Sequence, residues 1–422
     1  MAMATVQMQA RGSSVLQLPM RRPPVIILNM FYSGLGIARD LAGHDIHVLG
    51  LSADPHVYGN FTRCCEVRMA PNSQEQPEEL AQTLLHLSAE YSGAIIFPTR
   101  DADVLFLDRF RKCLNRDFRL AIPPHDVLMR VNNKYALSMI AQEQGIPIPT
   151  TALASSRSDL SRIEHEIGFP CVLKPVMAAN WRGKESWIKV GARKAVRVDD
   201  IHGLEREYEL LSAVDPQILA QKWVPGGADN IVVLGGYVRE GGELVSYFTA
   251  RKLIQSPDDF GTGCLVESDE IPEIVGLSRN MFKALHYEGM AEVEFKYDAA
   301  SREYRLIEIN TRHWDWHRLG AASGINLSWT AYSDMAGESV EPKLIRIARA
   351  KWIAEDALFV YLIRALYHRR IRLQDVLTKL SGPRVYAVGS WSDLRPGSRY
   401  FFGEFLPNLT KACFHSLQGG AS

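Results

Sequence analysis

The chain has 422 residues, which predicts two or three domains, and its 46% hydrophobic and 23% charged content is that of an ordinary globular protein. Its 48 basic and 48 acidic side chains cancel, so it lacks the basic excess that is typical of nucleic-acid-binding proteins. No apolar run reaches the length of a membrane span, which argues against a membrane partner.

The first 23 residues contain three arginines and no acidic residue. This composition occurs in organelle transit peptides, but the segment is short and has no apolar core of the secretory type. We therefore expect a disordered tail over 1–23.

The six cysteines include no CxxC pair and no zinc spacing. Reduced thiols in a cytoplasmic protein are therefore expected rather than a disulfide framework.

A small parallel α/β domain is predicted over 24–125. VIIL (25–28) and HVLGLS (47–52) are apolar runs of the buried-strand type, and the segment between them has helical spacing. GLG (34–36) lies at the first strand-to-helix turn, as in dinucleotide-binding folds. The GxGxxG pattern is incomplete, however, so a dehydrogenase is the weaker interpretation.

The next segments alternate between helix and strand patterns. The helix that starts near 131 ends at Gly145, and FPCVLKPV (169–176) is a strand that carries Lys174. We expect a polar loop over 177–186, strand over 187–198, and antiparallel strands over 231–254 around a Gly-Gly turn. From 345 to 380 the pattern changes to helix.

A hairpin over 289–312 concentrates the polar side chains. If its turn lies at 299–301, Glu294 falls roughly opposite Glu308, and Glu292 and Asn310 would converge on the same face. Carboxylates that share a face repel one another and need a cation, and an all-oxygen set with one amide suits Mg²⁺. The alternative is a solvated sheet face. Lys174 favours the first interpretation, because a lysine in an apolar strand is costly unless it meets an anion such as a nucleotide phosphate.

From about residue 25 to 340, these motifs occur in an order that resembles the ATP-grasp superfamily. NNK (132–134), VLKP (172–175), ILAQKWV (218–224) and EVEF (292–295) with IEINTR (307–312) are similar to the ATP domains of biotin carboxylase and carbamoyl phosphate synthetase. RKLIQSPDDFGTGCLVES (251–268) and the tail with SWSDLRPG (390–397) resemble carboxylate–amine ligases of the D-aspartate ligase type.

The resemblance implies an α/β architecture in three parts. The small parallel α/β domain would precede a two-lobed ATP-grasp domain with antiparallel sheets over 126–340, whose mobile lobe lies at about 146–224. A helical C-terminal extension would occupy 341–422.

The resemblance also implies roles for the residues that match its motifs. ATP would contact Lys134, Lys174, Gln221, Lys222, Val224 and Asp229, and the 177–186 loop would close over its triphosphate. Mg²⁺, with Mn²⁺ as an alternative, would be held by Glu294, Glu308 and Asn310. The transferred phosphoryl group would meet Arg312, Lys252 and Arg251.

The implied reaction has two steps and two small-molecule substrates. A carboxylate attacks the γ-phosphate of ATP to give an acyl phosphate and ADP, and an amine then displaces phosphate to form an amide. The loops at 29–36 and 99–103 would help to bind these substrates, and a homodimer is common among such ligases. Two alternatives stay open: a kinase or synthetase that phosphorylates a carboxylate without amine capture, and a nucleotide-binding regulatory protein.

HWDWH (313–317) departs from biotin carboxylase, which has a glutamate base in the corresponding stretch. The biotin-dependent glycine-rich loop is absent as well, so bicarbonate chemistry is not expected. Either His313, Asp315 and His317 help to deprotonate the amine, or the tryptophans pack in the core and His317 caps a helix.

Overall fold

The computed structural model describes residues 22–341, 349–367 and 373–407. The predicted tail thus lies outside the described residues except for Arg22 and Pro23, as do parts of the C-terminal extension. Among the described helices, none is long and apolar enough to cross a lipid bilayer.

The first part of the chain folds into a five-stranded parallel sheet of order β3-β2-β1-β4-β5. Its first strand consists of four consecutive buried apolar residues, as in sheets covered on both faces. The strand order reverses between β1 and β4, which opens a crevice at their carboxyl ends. The elements are β1 (Val25–Leu28), α1 (Tyr32–Leu41), β2 (Val48–Ser52), β3 (Glu66–Met69), α2 (Pro77–Leu87), β4 (Ile95–Phe97), α3 (Asp101–Arg109), α4 (Arg111–Leu114), β5 (Arg119–Leu120) and α5 (His125–Asn132).

A four-stranded antiparallel sheet of order β6-β9-β7-β8 follows. The helix before it starts where the Asn133 side chain accepts a hydrogen bond from the Ala136 N–H at 2.9 Å. The elements are α6 (Lys134–Glu143), β6 (Thr151–Ala154), α7 (Asp159–Glu166), β7 (Cys171–Pro175), α8 (Ala178–Arg182), α9 (Lys184–Lys189), β8 (Val196–Val198), α10 (Ile201–Ser212) and β9 (Ile218–Lys222).

Two predictions in this region are wrong. The expected loop over 177–186 contains α8 and the start of α9, and the expected strand over 187–198 is reduced to β8. Trp181 and Val190 are buried in the core of this sheet and Trp187 packs against it. In helices this short, too few apolar side chains recur at helical spacing to distinguish the pattern from that of a loop or a strand.

A seven-stranded sheet of order β14-β13-β10-β11-β12-β15-β16 forms the centre of the molecule. All its pairs are antiparallel except β15 with β16. The elements are β10 (Ile231–Arg239), β11 (Glu243–Ser256), β12 (Thr262–Ser268), α11 (Pro272–Leu285), β13 (Gly289–Asp298), β14 (Glu303–Asn310), α12 (Arg318–Ala322), α13 (Leu327–Ala336), β15 (Lys351–Ile353), α14 (Glu355–Tyr367), α15 (Leu373–Lys379), β16 (Arg384–Tyr386) and α16 (Leu394–Tyr400).

The pairing in this sheet confirms the predicted strands around the Gly-Gly turn and the predicted approach of Glu294 to Glu308, with a register shift between Glu294 and Phe295 that the pattern does not predict. Glu294 pairs with Glu308, and Glu292 pairs with Asn310. The expected continuous helix over 345–380 is interrupted, because Lys351–Ile353 adds a strand to the sheet. Trp352 is 1% exposed there, and burial of its ring against the sheet outweighs the helical pattern around it.

A buried ion pair ties the C-terminal segment to the first sheet. The Arg39 guanidinium donates to Asp393 at 3.2 Å, and these side chains are 3% and 0% exposed. The Thr62 hydroxyl donates to the same carboxylate at 2.6 Å. The C-terminal segment is therefore held against the C-terminal end of α1 and the loop that carries Thr62.

Candidate active site

A cavity of about 750 Å³ lies where the three sheets meet. The first sheet contributes the residues at the end of β4, the four-stranded sheet contributes β7 and β9, and the large sheet contributes β11 and the β13–β14 hairpin. Basic side chains outnumber acidic ones on its walls, which suits an anionic ligand. The basic ones are Arg100, Arg109, Lys134, Lys174, Arg182, Lys194, Lys222, Lys252, Lys296 and Arg312.

The hairpin brings the predicted metal-binding residues to one wall of this cavity. The Lys134 ammonium donates to Glu308 at 2.8 Å, and the Lys252 ammonium forms an ion pair with Glu294. The Asn310 amide donates to Glu292 at 2.9 Å.

The carboxylates and lysines of this wall shift one another's protonation. The Lys134 charge holds the pKa of Glu308 far below its ordinary value. Burial raises the pKa of Glu292 to about 8. Burial alone would lower the pKa of Lys252, but the carboxylates of Glu294 and Glu292 outweigh it and raise that pKa. Positive charge is thus kept on this wall beside the carboxylates.

Lys174 faces the cavity from strand β7 and is anchored by the neighbouring strand. Its ammonium donates to the Gln221 side-chain oxygen at 3.0 Å, and the Gln221 amide donates to the Thr151 hydroxyl at 3.1 Å. Burial and the nearby charge of Lys134 lower the pKa of Lys174 to about 8. A buried lysine with only a neutral partner gains from a second, anionic one.

The end of β9 presents backbone groups and an aromatic ring to the same cavity. The Lys222 N–H is bound to the Thr150 carbonyl at 2.8 Å, whereas no backbone partner of the Val224 N–H lies in the described part of the chain. The ring of Trp223 makes two cation–π contacts. The Lys296 ammonium lies 4.4 Å from the ring centre, and the Arg197 guanidinium carbon lies 5.0 Å from it. Val224 therefore keeps a buried N–H donor for a ligand edge.

Arg312 extends from the end of β14 toward the first sheet. Its guanidinium donates to Asp101 at 2.6 Å, and Asp101 also forms an ion pair with Arg182. Burial would raise the pKa of Asp101, but these two guanidinium groups hold it below its ordinary value. One carboxylate thus connects three parts of the chain at the cavity.

Several charged residues of the cavity were not named individually from the sequence, among them Asp101, Arg182, Lys194 and Lys296. Asp101 and Arg182 lie in the 99–103 and 177–186 segments that were expected to contact the ligands, and Asp101 follows a buried strand, where ligands of parallel sheets bind. Lys194 had no such signal, because the pattern of its segment indicates a strand.

Two predicted residues do not line the cavity, namely Arg251 and Asp229. The Arg251 guanidinium is paired with Asp269 at 3.0 Å and donates to the Asp229 carbonyl at 2.8 Å. Neighbouring residues of a strand point to opposite faces, so Lys252 faces the cavity and Arg251 faces away. The structure therefore does not bring Arg251 to the position predicted for it.

The side chains of HWDWH lie partly in the core and partly on the cavity wall. His313 and His317 are each 1% exposed, and the Ser328 hydroxyl lies 3.2 Å from the His313 ring while His317 faces Asp40. Burial lowers the pKa of His313 well below its ordinary value. His317 occupies the N-cap position of α12, as in the packing interpretation, but its side chain makes no capping hydrogen bond, and its Nδ1 lies 2.8 Å from the Trp314 carbonyl instead. Only Asp315 presents a titratable group to the cavity, where it accepts from the Ser33 hydroxyl at 3.2 Å.

The glycines of GLG serve packing in this structure. A side chain at Gly34 would overlap the Asn29 carbonyl, and a Cβ at Gly36 would lie 2.5 Å from Cε1 of His317. Gly36 thus allows helix α1 to approach HWDWH, and Gly34 allows it to approach the end of β1. Both glycines therefore have a packing role in this structure.

The hairpin wall fits Mg²⁺ as a partial ligand set. Within the described ranges, no three Asp, Glu, His or Cys side chains converge tightly enough to chelate a metal. Glu294 and Glu308 supply carboxylate oxygens and Asn310 an amide oxygen, and Mg²⁺ commonly combines one or two carboxylates with substrate phosphate oxygens.

Comparisons with known proteins agree with this geometry. The family model "Carbamoyl-phosphate synthase L chain, ATP binding domain" matches residues 264–338, which include the hairpin. The chain is 22% identical over 318 residues to D-aspartate ligase of Enterococcus faecium (strain Aus0004), covering 68% of this chain and 74% of that protein.

Two further comparisons, one of sequence and one of structure, concern the fold. D-alanine–D-alanine ligase of Pseudomonas putida (strain GB-1) is 26% identical over 183 residues, covering 42% of this chain and 54% of that one, so the match spans about half of that ligase. The biotin carboxylase–β,γ-ATP complex of Campylobacter jejuni superposes with a TM-score of 0.62 at 17% identity, covering 77% of this chain and 73% of that chain. The chain therefore has the ATP-grasp fold and is a homologue of D-aspartate ligase and D-alanine–D-alanine ligase.

Proposed function

We propose that the protein is an ATP-dependent ligase that activates a carboxylate as an acyl phosphate and couples it to an amine, releasing ADP and phosphate. One observation carries the proposal: Lys134, Lys174 and Lys252, from three separate elements, face the hairpin residues in one cavity. Phosphoryl transfer depends mainly on such positioned charges.

ATP would lie between the end of β9 and the hairpin. The Val224 N–H and the Lys222 backbone would meet the adenine edge, while Lys134 and Lys174 would meet the phosphates. Gln221 would hold Lys174 in place through their 3.0 Å contact. Glu294, Glu308 and Asn310 would hold Mg²⁺ or Mn²⁺, which when bound would neutralise charge on the phosphates.

The first chemical step needs cations around the transferred group. The substrate carboxylate would attack the γ-phosphorus, and negative charge would build on the phosphoryl oxygens and on the departing ADP. Arg312 and Lys252 would stabilise that charge from two sides of the cavity. Asp101 would orient the Arg312 guanidinium through their 2.6 Å contact.

The second step needs a neutral amine and no protein nucleophile. Its nitrogen would attack the acyl carbon and displace phosphate. Asp315 is the titratable member of HWDWH on the cavity wall, so it is the proposed proton acceptor in place of either histidine.

The proposal includes a mobile lobe at about 146–224, a small-molecule carboxylate and amine as partners, and a cytoplasmic location where ATP is supplied. The free thiols of the described cysteines agree with such a compartment. Assembly as a homodimer, common among such ligases, is the proposed oligomeric state.

The test supplies ATP, Mg²⁺, pooled carboxylates and pooled amines, and measures ADP and phosphate release. Release that requires both pools, with an amide product in the mass spectrum, is expected. Release that requires the carboxylate alone, with a phosphorylated acid as product, would instead identify a kinase-like enzyme. Tight ATP binding with no substrate-dependent release would contradict the ligase and favour a regulatory role.

A further inference from the structure

A second cavity of about 450 Å³ lies beside the candidate active site. It shares Thr99, Arg100 and Asp315 with the larger cavity, so the two spaces meet at the carboxyl end of β4. A molecule in the second cavity would therefore lie next to the residues that separate it from the larger cavity, Asp315 among them.

The charge of this second cavity differs from that of the first. Among the described residues, its lining contains the carboxylates of Asp315 and Asp356 and one cation, Arg100. Asp315 also interacts with the charges of Arg312 and Lys194 in the larger cavity. The Arg100 guanidinium donates to Asp103 at 2.8 Å, so its charge is already compensated. The cavity therefore favours a positively charged ligand, whereas the larger cavity favours an anionic one.

Aromatic rings surround the inner carboxylate. The Tyr32 hydroxyl donates to Asp356 at 2.8 Å, and the Tyr32 ring stacks on Tyr58 with 5.6 Å between centres. Tyr400 meets Tyr58 edge-on at 5.2 Å. Aromatic faces beside a carboxylate are a common way to bind an organic ammonium group.

The C-terminal segment builds this wall. Asp356 lies on α14 and Tyr400 ends α16, and the buried pair between Arg39 and Asp393 holds that segment against the first sheet. The two carboxylates thus stand at different places of one cavity, Asp315 at the junction with the active site and Asp356 among the tyrosines.

We propose that this cavity binds the amine substrate and that this amine carries a second cationic group, as a diamine does. The reacting amino group would lie at Asp315 and the second ammonium at Asp356 between the tyrosine rings. This assignment rests on the proposed ligase function and names its second substrate class.

With the amine bound in this second cavity, the bonds and protons of the second step balance. The nitrogen forms the C–N bond, the C–O bond to phosphate breaks, and phosphate leaves with that electron pair. The reacting ammonium gives up two protons, one to the Asp315 carboxylate and one to the released phosphate.

The test is calorimetric titration of the full chain, with ADP and Mg²⁺ present, by 1,5-diaminopentane and by 1-aminopentane. We expect the diamine to bind at least about tenfold more tightly, since a charge-assisted contact in a partly enclosed site has that order of effect. Asp356→Asn, which can still accept from Tyr32, should abolish the preference. Asp126→Asn, at a carboxylate 73% exposed on α5, should keep it.

Two results would overturn the assignment: equal binding of the two amines by the wild type, or an unchanged preference in Asp356→Asn. If that variant does not fold, Tyr400→Leu replaces it and should weaken diamine binding by a similar factor. ADP affinity measured in the same titrations should stay unchanged in both variants. Equal binding of the two amines by the wild type, with ADP binding and substrate-dependent ADP release intact, would refute only this inference, whereas diamine binding by the wild type without ADP release from any carboxylate would refute the ligase.

Discussion

Lys134 and Glu308 are 174 residues apart in the chain, yet the lysine ammonium donates to the glutamate carboxylate at 2.8 Å. Lys134 begins helix α6, and Glu308 lies on the hairpin strand β14. The contact joins a proposed phosphate-binding residue to a proposed metal-binding residue, so the two ligands of this site would be bound side by side.

Glu308→Gln should reduce substrate-dependent ADP release by about two to three orders of magnitude, the usual effect of removing one well-placed electrostatic group. The substitution keeps the size of the side chain and removes the charge that would hold Mg²⁺ and balance Lys134. Steady-state ADP release at saturating ATP measures the effect. Glu303→Gln, on the same strand with a side chain 49% exposed, is the matched control and should retain activity. A Glu308→Gln enzyme with near wild-type turnover would contradict the assignment of the metal site.

Lys174 should make ATP binding sensitive to pH. Its pKa is lowered to about 8 by burial and by Lys134, so raising the pH from 7 to 9 removes the ammonium that would meet phosphate. The affinity for ATP should therefore fall across this range, as measured by calorimetry. Lys174→Met should bind ATP at least about tenfold more weakly at pH 7 and lose this part of the pH dependence.

The lowered pKa of Lys174 has the opposite effect on stability, whose Lys174 contribution should increase as the pH rises. In the unfolded chain Lys174 keeps its ordinary pKa, so between pH 8 and about 10.5 the unfolded state binds more protons than the folded state. The contribution of Lys174 to the free energy of unfolding thus rises across this window, and Lys174→Met should remove that rise in urea titrations. Lys189→Met, at an exposed position of α9, is the control and should change neither profile. An identical pH profile for ATP binding in Lys174→Met and the wild type would contradict the prediction.

Asp101 should act on turnover through Arg312. Asp101→Asn keeps the shape of the side chain but removes the charge that holds the Arg312 guanidinium at 2.6 Å. We expect kcat to fall about tenfold with little change in the KM for ATP, because loss of orientation weakens transition-state contacts first.

A double-mutant cycle separates this role from a general loss of structure. In an Arg312→Ala background, Asp101→Asn should have almost no further effect on kcat, since its partner is gone. Additive effects of the two substitutions on kcat would show that Asp101 acts independently of Arg312.

Asp393→Ala should lower the free energy of unfolding by about 3–5 kcal/mol, because it leaves the buried charge of Arg39 without its carboxylate. Trp391→Ala, only two residues away but 94% exposed, should change stability by less than about 0.5 kcal/mol. Urea unfolding of the two variants beside the wild type gives the comparison. Equal stabilities would contradict a stabilising role of this ion pair.

Local patterns in the sequence were sufficient to predict the hairpin itself. Period-two alternation places the polar residues of the two strands on one face and brings Glu294 near Glu308, whereas their direct pairing depends on a register shift between Glu294 and Phe295 that the pattern does not predict. The same reasoning places Lys174 in a buried strand and identifies the parallel strands at the start of the chain.

Helical periodicity was harder to recognise where segments are short. Helices α8 and α9 have five and six residues, too few for their spacing to stand out against a loop or strand pattern. The 177–186 segment was expected at the triphosphate, but the pairing of its Arg182 with Asp101 could not be read from the sequence.

Tertiary structure alone decided which charged groups meet. The alternation of a strand shows that Arg251 and Lys252 face opposite sides, but only packing of the sheet determines which side is the cavity. It also buries both histidines of HWDWH and leaves Asp315 at the junction of two cavities. The sequence by itself thus determined the fold class and the strands that carry the polar hairpin residues, because these depend on neighbours along the chain. The partners Asp101 and Asp356 come from elements far apart in the chain, and only folding brings such groups together.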